Sequence, residues 1–300
     1  MTIAYVKEEK KQKFFQKSIE IRIFENNYVL AVIDKNKKNI VKKLIKYIQK
    51  LKIDTLVFSK DLENLKKEIC DLDYVRIING RKLMEYMEYN IFEYILEKQN
   101  NKIKEEDIYI VFKKDKNLDL NFLKIFIENF RMTNVVTNDV ERLKNVQDNL
   151  IENDNILISV SNNKNKALKR AKYILNVNLT KEELQKYKIN RNAIIVNIKE
   201  EVKYNDLSFE GVNVNNIELN LPDEYIERYE ELGEKFDKTE FYESILLNDG
   251  LGKASIEEIE NRINKDNVQI VGILGNNGEI SDKELQKIHK INIDKKRKLV

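Results

Sequence analysis

Between residues 107 and 198 the chain alternates short apolar runs with amphipathic helical stretches, and this alternation limits its possible folds more than any other feature. Asp107–Phe112, Asn134–Thr137, Ile156–Val160, Tyr173–Val177 and Ala193–Ile198 have the length and the β-branched content of buried strands. Leu120–Phe130, Val140–Ile151, Asn165–Ala171 and Lys181–Tyr187 lie between them with helical spacing of apolar residues. Strands joined through helices run parallel, and the helices cover the faces of the sheet. Five strands with four intervening helices therefore read as a doubly wound sheet.

A smaller alternation precedes it. Ser18–Phe24 and Tyr28–Ile33 flank Glu25-Asn26-Asn27 as a hairpin, and Ile40, Leu44, Ile45, Ile48 and Leu51 share one helical face. Asp54–Ser59 is a strand, Asp61 is placed to cap a helix over Leu62–Leu72, and Tyr74–Ile78 is a strand closed by Asn79-Gly80. Arg81–Gln99 predicts one long connecting helix. Beyond the second unit, Leu207–Asn215 and Ile217–Leu221 read as strands, and Asp223, Ser255 with Glu258, and Ser281 with Glu284 as helix starts. Val268–Leu274 is a further strand, closed by the turn Gly275-Asn276-Asn277-Gly278, and the last helix runs to about His289. The expected fold class is α/β: two units with mainly parallel sheets, the second Rossmann-like, linked by a long helix. The expected domains are an N-terminal α/β domain (1–100), a Rossmann-like domain (101–222) and a helical C-terminal return with one strand (223–300).

Charge excludes little but weakens one class of function. Lys+Arg number 54 against 51 Asp+Glu, leaving a net +3, which is no general field for a polyanion. The lysines at 35, 37, 38, 42, 43, 46, 50 and 52, and the basic tail 295–298, read as solvated faces without the aromatic interleaving of a single-strand binder. Nucleic acid is therefore not an expected partner. The single cysteine, Cys70, allows no disulfide within the chain and no cysteine zinc cluster, and its place among Leu65, Ile69 and Leu72 suggests a buried thiol. His289 is the only histidine and reads as a surface residue among lysines. Residues 1–13 lack the apolar core of a secretory signal and no stretch is long enough to span a bilayer, so a cytoplasmic protein is expected.

The segments Ala171-Lys172-Tyr173-Ile174-Leu175-Asn176 and Asn192-Ala193-Ile194-Ile195-Val196-Asn197 resemble the later strands of two-domain dehydrogenases of the shikimate dehydrogenase and methylene-tetrahydrofolate dehydrogenase type. The resemblance covers roughly residues 80–200 by pattern and not by signature residues. It implies a smaller α/β domain, a nucleotide-type domain and an NAD(P) cofactor.

The departure from that pattern lies in the loop after the first strand of the second unit. Dinucleotide binders place glycines there for the tight turn and for close approach of backbone to pyrophosphate. Here the loop reads Lys113-Lys114-Asp115-Lys116-Asn117-Leu118-Asp119, and no glycine occurs from Arg81 to Glu210. Lys113, Lys114 and Lys116 remain able to attract a phosphate. Asp139 stands where an acidic residue binds a ribose hydroxyl, although Asn138 or Asp139 is also an ordinary helix cap. Ser161 and Asn162 stand at a strand's carboxyl end, where open sheets bind ligands, and a helix entry has the same composition. Two readings follow. One is a non-catalytic or vestigial dehydrogenase-like protein that serves as a binding or interaction module, with a protein or a small anionic ligand as partner. The other is an enzyme that binds a nucleotide or small anion at 113–119. The cofactor stays undetermined: NAD(P) fits the fold and lacks its glycine loop.

Overall fold

The computed structural model describes the chain except residues 10–17, 26–27, 35–37, 71, 114–119, 155–157, 205, 234 and 298–300. The first elements are β1 (Ile3–Glu8), β2 (Ile19–Glu25), β3 (Tyr28–Ile33), α1 (Ile40–Leu51), β4 (Thr55–Phe58), α2 (Glu63–Ile69), β5 (Arg76–Ile77) and α3 (Arg81–Tyr86). Next come α4 (Glu88–Lys98), β6 (Asp107–Val111), α5 (Leu120–Asn129), β7 (Met132–Val136), α6 (Val140–Asp154), β8 (Ser159–Ser161), α7 (Lys164–Leu168), β9 (Tyr173–Asn176), α8 (Lys181–Leu184), β10 (Ile194–Asn197) and β11 (Val212–Val214). The chain closes with β12 (Asn216–Asn220), α9 (Asp223–Leu232), α10 (Lys238–Asn248), α11 (Ile256–Lys265), β13 (Gln269–Gly275), β14 (Gly278–Glu279) and α12 (Asp282–Arg297).

Close packing divides the chain into two compact units, each made of two segments: Met1–Tyr86 with Leu219–Gln269, and Met87–Glu218 with Ile270–Val300. The first unit holds a five-stranded sheet in the order β2-β3-β1-β4-β5. β1 pairs in parallel with β3 and β4, β4 pairs in parallel with β5, and the β2–β3 hairpin is antiparallel. A central parallel strand is covered on both faces and so reads as a continuous apolar run. Ile3, Ala4, Tyr5 and Val6 of β1 are accordingly all buried. On one face α1 supplies Ile40, Leu44 and Ile48, and α2 supplies Leu65 and Ile69. Tyr5 lies edge-on to Phe236 and tilted against Phe241.

The second unit holds a six-stranded sheet in the order β11-β10-β9-β6-β7-β8, with every pair parallel. Leu168, Ile174, Leu184, Ile195 and Val202 belong to one of its cores. Phe92 of α4 lies edge-on to Phe126 and Phe130, at 6.4 and 6.0 Å between ring centres. β12, β13 and β14 form a small sheet in that order. The α/β class with mainly parallel sheets is thus the observed one. No described helix is long and apolar enough to cross a membrane.

Several local expectations change. The helix expected over Arg81–Gln99 is two helices, because Met87 leaves the helical region at φ −104° and ψ 13°. The strand expected over Leu207–Asn215 shortens to β11, and the last helix continues beyond His289 to Arg297, although the side chain of His289 lies outside the described ones. Cys70 is exposed, not buried: Ile69 takes the inward position at the end of α2, and the Cys70 thiol donates to the carbonyl of Lys67. β1, a strand that the alternation in the sequence does not mark, carries the centre of its sheet.

Phe92 is fully buried between two other rings, so Phe92→Ala removes both the ring and its edge contacts. A loss of about 3–5 kcal/mol is expected, read as a lowered urea midpoint with an unchanged slope.

Candidate functional site

In the second unit's sheet the strands stand, in chain order, third-second-first-fourth-fifth-sixth from β8 to β11. This is the order of doubly wound dinucleotide-binding domains, and the winding reverses between β6 and β9. Open sheets of this kind take ligands outside the carboxyl ends of the strands at that reversal. Val111 of β6 lies beside Asn176 of β9 at this end, so the residues just beyond them form the candidate site.

Lys113 leaves β6 into this site with its polar groups engaged. Its N–H donates to Asn178 Oδ1 at 3.0 Å, and its carbonyl accepts from Thr137 Oγ1 at 2.9 Å. Its ammonium lies 2.6 Å from Glu183 Oε2. The same carboxylate accepts the N–H of Thr180 at 2.9 Å, and Lys113 and that amide hold its pKa below the ordinary carboxylate value. Lys114 and Lys116 lie outside the described residues.

The second and third strands bring further groups to the same edge. The N–H of Asp139 donates to Thr137 Oγ1 at 3.1 Å, and the N–H of Thr137 donates to the Ser161 carbonyl at 2.9 Å. Ser161 Oγ accepts from the N–H of Asn163, the exposed Asn162 accepts the N–H of Lys164 through its carbonyl, and Asn163 caps α7 by accepting from Lys166. Lys164 is 4% exposed, and its ammonium donates to Asn138 Oδ1 and lies 5.8 Å from the centre of the Tyr187 ring. Burial lowers its pKa. Sequence reading missed this lysine because a Lys at the start of a helix carries no periodic signal of burial.

Across the remaining strand ends runs a chain of asparagines. Asn176 donates to Asn197 Oδ1 at 2.9 Å, Asn197 donates to Asn215 Oδ1 at 3.0 Å, and Asn215 donates to Asn276 Oδ1 at 2.8 Å. Asn176 also bonds the carbonyl and the N–H of Leu179, and Asn215 accepts the N–H of Val202. Asn197 is fully buried. A buried amide left without its partners costs far more than the bond itself contributes. The sequence signal was present in the repeated strand endings Tyr-Ile-Leu-Asn and Ile-Ile-Val-Asn.

The first unit has its own buried polar set, which the sequence did not reveal as a pair of carboxylates. Residues 239–246 of α10 are all buried, and Glu240 and Glu243 stand among them. Lys66 reaches Glu240 at 2.6 Å, while Glu243 accepts the N–H of Leu83 at 3.4 Å and lies 3.8 Å from Arg76. Burial pushes the Glu240 carboxyl up to about 7, against the opposing charge of Lys66. Burial also raises Glu243. Among the described residues no group of acidic, histidine or cysteine side chains is arranged to hold a metal ion.

No protein-family model matches the chain, and no curated protein matches it in sequence. Among solved structures it is similar to ornithine carbamoyltransferase from Pyrococcus furiosus, at 15% identity over 65% of this chain and 71% of that one, with a TM-score of 0.26. It is similar to L-tryptophan dehydrogenase from Nostoc punctiforme at 10% identity over 90% and 77%, with a TM-score of 0.34.

Two outcomes are expected from these geometries. Asn197→Ala takes one of two partners from the Asn176 amide and one of two from Asn215 Oδ1, and should cost about 1–3 kcal/mol in chemical denaturation. Glu240 has its carboxyl raised from 4.5 to about 7 in the folded chain, so between those values the folded state holds more protons than the unfolded one. Stability should therefore fall as pH rises through that window, and denaturation of Glu240→Gln across the same pH range should give a flatter profile.

Proposed function

We propose that this chain is a non-catalytic binding module. It keeps the strand plan of the shikimate dehydrogenase- and methylene-tetrahydrofolate dehydrogenase-like proteins it resembles and has given up the dinucleotide seat. The observation that carries this reading is the engagement of Lys113 by the protein itself: its N–H by Asn178, its carbonyl by Thr137 and its ammonium by Glu183. A pyrophosphate at that strand end has to displace Asn178 from the N–H and Glu183 from the ammonium, without glycines to let it approach the backbone. In this reading the protein works in the cytoplasm, takes no nucleic acid, and has a protein or a small anionic ligand as its partner. Titration calorimetry against NAD, NADP, nucleotides and S-adenosylmethionine should give no saturable binding. Saturable binding of a dinucleotide, abolished by Lys113→Ala with Lys116→Ala, overturns it.

A second reading is favoured by Lys164. A buried ammonium with a lowered pKa beside Asn138 at the same strand ends suits a site that takes a small anion. Here Lys113, Lys114 and Lys116 serve phosphate, Asp139 serves a ribose hydroxyl, and Ser161 and Asn162 donate to the ligand. Pyrophosphate then binds with an affinity that drops as salt rises. Lys164→Met weakens it about ten-fold or more, the loss of one charge-assisted hydrogen bond. No heat with pyrophosphate at low salt removes this reading.

A further inference from the structure

Among the described residues β2 is the edge strand of the first unit's sheet, and its hydrogen-bonding groups divide cleanly between its two sides. The N–H of Asp34 donates to the Ser18 carbonyl at 3.2 Å, and the register then runs Glu20 to Val32, Ile21 to Ala31 and Arg22 to Leu30. Hydrogen-bonded and non-hydrogen-bonded pairs alternate along an antiparallel ladder. Ser18, Glu20 and Arg22 therefore turn their backbone groups toward β3, and Ile19, Ile21 and Ile23 turn theirs outward. The ladder shifts register between Ile23 and Glu25, which ends the regular edge there.

The side chains of this edge are complementary to themselves. Ile19 is buried and Ile21 is packed on the core, yet Ile23, on the same face of the strand, is 86% exposed. On the other face stand Glu20 and Arg22, joined within the chain at 2.9 Å, with Glu9 at 3.9 Å from Arg22. An antiparallel copy of β2 related by a two-fold axis through Ile21 sets Ile21 against Ile21, Ile19 against Ile23, and Glu20 against Arg22. In that register the outward groups of Ile19, Ile21 and Ile23 all fall in hydrogen-bonded pairs. The opposite charges of Glu20 and Arg22 fall in the close, non-hydrogen-bonded pairs where side chains interact best. Shifting the copy by two residues sets Arg22 against Arg22 or Glu20 against Glu20, so the charges select one register.

We propose that β2 is a dimerisation edge: two copies of this chain pair through Ile19–Ile23 about a two-fold axis at Ile21, joining their five-stranded sheets into one. The dimer covers Ile23 with the Ile19 region of the second copy and uses an edge strand that would otherwise be a template for uncontrolled pairing. The contact is isologous, so each charge pair occurs twice.

Sedimentation of the full chain tests it, with charge swaps on exposed side chains that leave the monomer fold intact by circular dichroism. The wild type should sediment as a dimer at about 100 µM, the range expected for a small strand-edge contact. Arg22→Glu alone and Glu20→Lys alone each set like charges opposite one another twice and should weaken the dimer about ten-fold or more. Mixing the two variants restores opposite charges at both pairs and should return a heterodimer. Hydrogen exchange in the peptide covering residues 18–25 should slow as wild-type concentration rises. A monomeric wild type at that concentration overturns the proposal. So does a dimer that both single swaps leave unchanged, or a mixture that fails to restore association.

Discussion

A parallel sheet covered on both faces has no place for polar side chains except at the ends of its strands, and there they have to satisfy one another. In the second unit that requirement is met by the chain from Asn176 through Asn197 and Asn215 to Asn276. These amides tie the ends of β9 and β10 to the segment after β11 and to the turn between β13 and β14. They also hold the backbone of Leu179 and Val202, which starts the loops leaving the sheet. The edge at which a doubly wound sheet would carry a ligand is thus, over half its width, an internal network of the protein.

On the other side of the winding reversal the same edge is occupied by charge. Lys113 with Glu183 stands at the first strand end, where a dinucleotide binder offers bare backbone, and Lys164 with Asn138 at the ends of the next two strands. Glycines at such a loop expose N–H groups, whereas side chains at the same positions consume them or block approach. The absence of glycine from Arg81 to Glu210 is therefore more than a missing motif. At the first residue of that loop it is matched by Asn178, which takes the N–H of Lys113, and by Glu183, which takes its ammonium.

The first unit meets its polar requirement differently, inside a helix. α10 is buried around its whole circumference, so Glu240 and Glu243 need partners from other elements and find Lys66, Arg76 and the N–H of Leu83. Nearby, Asp266 accepts from Tyr225, Tyr242 and Arg262, a set that ties α9, α10 and α11 together. None of this was legible beforehand. An amphipathic helix announces its inner face by periodicity, but a helix buried on every side offers no face on which a charged residue looks misplaced. Gly80 adds a local example: its φ is +73°, and any Cβ there would stand 2.6 Å from Thr239 Oγ1, which leaves room for glycine alone.

The alternation of elements was written in the sequence. Each buried strand needs a short apolar run and each covering helix an apolar stripe, and both are local patterns. The hairpin of β2 and β3, the capping boxes at Ser255 and Ser281, and the loop without glycine were readable for that reason. Tertiary packing decided which strand stands beside which, and with it everything non-local: β1 at the centre of its sheet, Lys164 buried, Cys70 turned outward, and four asparagines from distant segments brought into one chain of hydrogen bonds. The physical reason is that pairing between parallel strands and satisfaction of a buried amide depend on partners tens of residues away, and no window of sequence contains both halves of such a contact.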